Sequence, residues 1–125
     1  MRTGLVLPRL ASILALVIGA MAVFAGGQAL LGRIPDYYVI DWLPIYNLAL
    51  GVVSAIVASV LIWRKSRLAL PTALTIFGLH GGVMLVLLTA YRQVVAVDSL
   101  RAMSIRLAAW TVILILLLAA RRKRA

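Results

Sequence analysis

From Leu68 to Tyr91 the chain carries no charged side chain, and at the middle of that run stands Gly78-Leu79-His80-Gly81-Gly82. At about 1.5 Å per residue, a helix over this run is long enough to cross the roughly 30 Å hydrocarbon layer of a bilayer. In that layer every backbone N–H and C=O needs an internal partner, which leaves helices and closed barrels as the only spanning structures. The run is continuously apolar and does not alternate, so it reads as a helix. His80 lies 12 residues after Leu68 and 11 before Tyr91, about 17–18 Å from either end and close to a bilayer midplane.

Three further runs repeat the pattern. Leu10 to Leu31 follows a basic lead holding Arg2, Pro8 and Arg9. A signal peptide with a small-x-small site at Ala20-Met21-Ala22 is the alternative for this segment. The apolar character continues nine residues past Ala22, which favours a retained span. Leu43 to Trp63 is the second run; Asp41 suits the N-cap of its helix and Pro44 the first turn. The fourth helix runs from about Ser99 to Ala120, with Asp98 or Ser99 as N-cap. Its charge-free part, Leu107 to Ala120, is 14 residues, only about 21 Å. To span, it draws Arg106 several ångström into the slab, where an arginine must snorkel or find a carboxylate.

Charge sets the topology. Only 13% of residues are charged, against roughly 25% in soluble domains, and they gather at the ends of the runs. With both termini inside, the cytoplasmic segments hold Arg2, Arg9, Arg64, Lys65, Arg67, Arg121, Arg122, Lys123 and Arg124. The outer segments hold Arg33, Arg92, Arg101 and Arg106, together with Asp36, Asp41 and Asp98. This obeys the positive-inside rule. Tyr37, Tyr38, Trp42, Tyr46 and Tyr91 would form the outer aromatic belt and Trp63 the inner one. The expected fold is therefore all-α: an integral membrane four-helix bundle, up-down-up-down, N-in and C-in. It is a single transmembrane domain with spans of about 10–31, 43–63, 68–91 and 99–120. In plan alone it resembles small four-span inner-membrane proteins.

Small residues mark the expected contacts, because without a hydrophobic force between helices in lipid, close backbone approach drives association. Ser12, Ala15, Gly19, Ala22, Gly26 and Ala29 recur at alternating spacings of three and four, a heptad seam. Asn47, Gly51, Ser54 and Ala58 fall at i, i+4, i+7 and i+11, one face of the second helix. Gly78 and Gly82 form a small-xxx-small pair about 200° around the third helix from His80.

Two polar constellations follow. The first is an intramembrane set of His80, Ser54 and Asn47. His80 reads as an imidazole hydrogen-bonded across helices to Ser54 or a carbonyl, as a proton-relay or substrate group of a transporter, or as a haem axial ligand. A haem would need a second copy of the chain, or Met84, for its other ligand. The second is an outer-face charge cluster of Arg106 and Arg101 with Asp98, Asp41 and Asp36, either structural salt bridges or an anion site. Arg64, Lys65, Arg67, Arg121, Arg122, Lys123 and Arg124 are expected to meet anionic headgroups, not nucleic acid.

Function is bounded more than specified. There are no cysteines, which excludes disulfides and thiolate metal sites. One histidine is too few for a metal centre, and no catalytic residue or resident cofactor is expected. The chain reads as a non-enzymatic accessory or assembly subunit, or a homo-oligomeric component of the inner (plasma) membrane. A small oligomeric transporter or channel using His80 is the rival, and a haem-binding or other membrane redox component the third reading.

Overall fold

The structure is a computed structural model. It describes residues 2–31, 42–93, 95 and 97–124, the side chains of 2–5, 98 and 121–124 excepted. All described regular structure is helical: α1 (Arg2–Leu30), α2 (Trp42–Trp63), α3 (Ala69–Thr89) and α4 (Val97–Arg124). Each contains a stretch long and apolar enough to cross a membrane. Four such helices suggest a multi-pass membrane protein.

Polarity is distributed as lipid immersion requires. Phe24, Leu31 and Leu85 are each more than 60% exposed, and Ile13, Leu16 and Ile115 also lie outside. Inside are Ser12, Asn47, Ser54, Ser59, His80, Ser99 and Arg106. Large apolar side chains lose nothing by facing acyl chains, whereas a polar group there would forfeit its hydrogen bonds. Small side chains take much of the buried space, with Ala11, Ala15, Ala58 and Ala73 fully enclosed beside Ile62, Ile76, Trp110 and Ile113.

The closest contact joins α1 to α2. A Cβ added at Gly19 would stand 2.5 Å from Ala55 N and 2.7 Å from Gly51 O. One added at Gly26 would stand 2.7 Å from Pro44 O, and one at Gly51 2.7 Å from Val23 N. These are backbone atoms, so only glycine fits. Ser12 Oγ donates to Ser59 O at 2.6 Å farther along the same seam. Residues late in α1 thus meet residues early in α2. By contrast, Cβ atoms at Gly78, Gly81 or Gly82 would meet nothing within 4 Å. The small-xxx-small pair of α3 makes no close helix contact among the described residues.

Within α2, Val53–Ala58 is π-helical. The Ser59 N–H reaches back to Ser54 O, five residues away. A π-turn holds one extra residue and so shifts the inward face. Ser54, Ala58 and Ser59 are all buried around it, and Ser59 Oγ donates to Ala55 O. Beyond Trp63 the helix ends in a Schellman cap: Ser66 N–H to Leu61 O at 2.9 Å and Lys65 N–H to Ile62 O at 3.0 Å. Lys65 takes the left-handed position, φ 56°, where glycine is usual. Ser66 Oγ then accepts the Leu68 N–H at 3.1 Å, and Pro71 occupies the third position of α3, where its missing N–H costs little.

Two sequence expectations are corrected here. Helix α1 begins at Arg2 and carries Pro8 inside it, so the basic lead is part of the helix. Helix α4 begins at Val97, ahead of the expected start, while its apolar stretch is Ser99–Ala120. Asp41, the expected cap of α2, lies outside the described residues.

Candidate functional site

Three helices bring polar side chains together between the bundle middle and the end carrying Trp42 and Tyr91. Helix α2 supplies Tyr46, Asn47 and Ser54, α3 supplies His80, and α4 supplies Arg106 and Trp110. Asn47, Ser54 and His80 are buried, and Arg106 is only 6% exposed.

His80 Nδ1 lies 2.7 Å from Tyr46 Oη; with the ring proton on Nε2, the phenol donates. The two rings also pack edge to face, centroids 5.7 Å apart at 77°. Tyr46 is the fifth residue of α2, and its side chain points along the bundle to reach the deeper imidazole. Trp42 continues the stack outward: it packs edge-on to Tyr46 at 6.4 Å and to Tyr91 at 5.9 Å. Its Nε1 donates to Tyr91 Oη at 3.3 Å.

Arg106 Nη1 donates to Asn47 Oδ1 at 2.5 Å across 59 residues of sequence. A charge-assisted bond of this kind compensates part of the cost of desolvating the guanidinium. Asn47 keeps its amide hydrogens as further donors. Trp110 is fully buried, and its Nε1 finds no acceptor among the described residues. Ile18, Ala22, Leu50 and Gly51 close the space around these groups, which has no room for a water molecule. The space is therefore dry, and among the described residues it is rich in donors and carries the positive charge of Arg106. Its side chains pair one helix with another.

The structure thus joins two constellations that the sequence presents as separate. Asn47, from the intramembrane set, accepts a hydrogen bond from Arg106, from the charge cluster. Asp36 and Asp41 lie outside the described residues, as does the side chain of Asp98; Arg101 is exposed. Ser54 lines the same space as His80, but the hydrogen-bond partner of the imidazole is Tyr46. The His80 ring is enclosed, and of its two nitrogens Nδ1 is engaged by Tyr46. Among the described residues no three His, Cys, Asp or Glu side chains gather as a metal site.

Tyr46 and Trp110 are the members that sequence reasoning does not single out. Trp110 follows Arg106 by four residues, a same-face spacing that could have flagged it. Tyr46 reads as an interface aromatic, and no local signal says that its hydroxyl turns inward. At the other end of the bundle, Arg9 stacks over the Trp63 ring at 5.0 Å, a cation–π contact; Arg64, Lys65 and Arg67 are exposed in the turn beside it. The side chains of Arg121, Arg122, Lys123 and Arg124 lie outside the described residues.

Compared with known proteins, the chain matches no family model, no curated protein and no solved structure.

Proposed function

We propose that this chain is a non-enzymatic, multi-pass component of the plasma membrane, acting as a homo-oligomer or as a subunit of a larger membrane complex. The observation that carries the reading is the state of the polar core. Its hydrogen bonds run from helix to helix (Tyr46 to His80, Arg106 to Asn47, Ser12 to Ser59). No water-sized space separates the groups around His80. Polar side chains arranged in this way set which helices pack and in what register; they do not line a conduit. The open faces of Gly78 and Gly82 supply surface that a neighbouring helix in the assembly can approach closely.

In this reading the helices run up-down-up-down with both termini cytoplasmic. Support comes from the contact order of α1 and α2, from the short turn between Trp63 and Ala69, and from the Lys/Arg bias between the two sides. Anionic lipid headgroups face the basic turn and tail.

A small oligomeric transporter of anions or protons is the second reading. It is favoured by the Trp110 Nε1 that finds no acceptor beside Arg106 and His80. Purified protein reconstituted in liposomes separates the two. The component reading expects proton and chloride flux equal to that of empty vesicles, and co-purification of a second copy or a partner in mild detergent. Flux that His80→Ala or Arg106→Gln abolishes would reverse the order of the two readings.

A further inference from the structure

The basic end of the bundle holds a cavity of about 650 Å³, within the size range of small-molecule sites. All four helices wall it: Pro8 of α1, Ile62 of α2, Leu70 and Leu74 of α3, and Leu117 and Ala120 of α4. Around it, α3 packs mainly on α4 and only sparsely on α2. Ile62 and Ala120 are fully buried at its floor, whereas Pro71 and Leu74 are exposed on the side facing away from the bundle. The cavity therefore opens laterally as well as at its end. Lys65 and Arg67 stand at the rim, both exposed, and among the described residues no acidic side chain lines it. The Schellman cap fixes the backbone under Lys65, and the Ser66 hydroxyl is already engaged by Leu68 N–H.

An apolar slot open to the side, with a cationic rim at the level where Arg9 and Trp63 stack, matches one kind of molecule in both charge and shape. We propose that this cavity is a specific site for a single anionic phospholipid, its headgroup held by Lys65 and Arg67 and an acyl chain lying between α3 and α4. This rests on the membrane-spanning reading and goes beyond general headgroup contact, because it names a saturable site.

The test uses the full chain, purified in mild detergent with phosphatidylglycerol or with phosphatidylcholine of the same acyl chains, and native mass spectrometry to count retained lipid. The expected result is one phosphatidylglycerol retained per chain, with phosphatidylcholine retained at least tenfold less. Lys65→Gln with Arg67→Gln should weaken retention about tenfold or more, and Leu74→Trp, which fills the lateral mouth, should do the same with the charges intact. Arg9→Gln with Arg64→Gln removes equal charge at the same end from residues that do not line the cavity, and should leave retention unchanged. Inorganic phosphate should not displace the lipid. Equal retention of both lipids, equal loss from both double variants, or unaltered retention in Leu74→Trp would overturn the site. Displacement by phosphate alone would remove the acyl-chain half of it. Failure of the parent to partition into bilayers would instead overturn the membrane reading, and the site with it.

Discussion

An alanine at Gly19 and an alanine at Gly78 should have opposite effects, although both glycines sit in apolar helices of this chain. At Gly19 the new Cβ would stand 2.5 Å from Ala55 N, 2.7 Å from Gly51 O and 2.9 Å from Ala55 Cα. None of these backbone atoms can rotate away, so α1 and α2 must separate by about 1 Å, enough to forfeit a quarter to a half of the dispersion well for atoms along the seam. Overpacking of this kind costs about 1–3 kcal/mol. The Ser12 Oγ–Ser59 O bond, 2.6 Å in the parent, would stretch beyond hydrogen-bonding range, and membrane hydrogen bonds average about 0.6 kcal/mol. At Gly78 the Cβ meets nothing, and alanine gains up to about 1 kcal/mol of helix propensity. That gain is common to both variants, so their difference is the overpacking and the lost bond, roughly 2–3 kcal/mol, or about 30- to 150-fold in the folding equilibrium. Reversible unfolding by SDS titration in micelles, followed by far-UV circular dichroism, reads it directly. Gly27→Ala, on α1 but with nothing near its Cβ, is the control and should behave like Gly78→Ala. Parent-like stability of Gly19→Ala, or an equal loss at Gly27, would refute the claim that backbone contact holds α1 to α2.

Three further outcomes follow from the same structure. Asn47→Leu removes the acceptor of a guanidinium bond and should cost about 1.5–3 kcal/mol in the same titration; Arg106→Leu with Asn47→Leu should lose less than the sum of the two single changes, as a double-mutant cycle would show. Trp110→Phe removes a buried donor that lacks an acceptor among the described residues but also empties part of a fully buried side chain's volume, so the loss should stay near a cavity cost of about 1 kcal/mol, whereas a loss of about 3 kcal/mol or more would mean that the indole N–H has a partner in the assembled protein. Lys65→Gly relieves a left-handed backbone and should raise stability by about 1 kcal/mol, seen as a shift of the unfolding midpoint; a drop would contradict the strain assigned to that cap.

Much of the architecture was legible because hydrocarbon allows so few choices. An uncharged run such as Leu68 to Tyr91 must satisfy its own backbone, and a helix does so within the run itself. Four such runs mean four apolar helices. The limits of this local logic show at α2, where a π-turn over Val53–Ala58 sits in sequence that reads as uninterrupted helix. They show again at Lys65, a lysine where glycine would have announced the cap.

What the chain alone decided, then, is how many helices there are, what they are made of, and that their polar residues must turn inward. Which side chains meet was decided only by rotation and register between helices. Gly19 with Gly51 and Gly78 with Gly82 are equally plausible contact glycines on paper, yet one pair is pressed against backbone and the other is open. Arg106 bonds Asn47, 59 residues away on another helix, a partner that nothing local to either residue names. The reason is range: backbone satisfaction in lipid is settled within four or five residues, whereas the packing of one helix face on another depends on the whole surface of both.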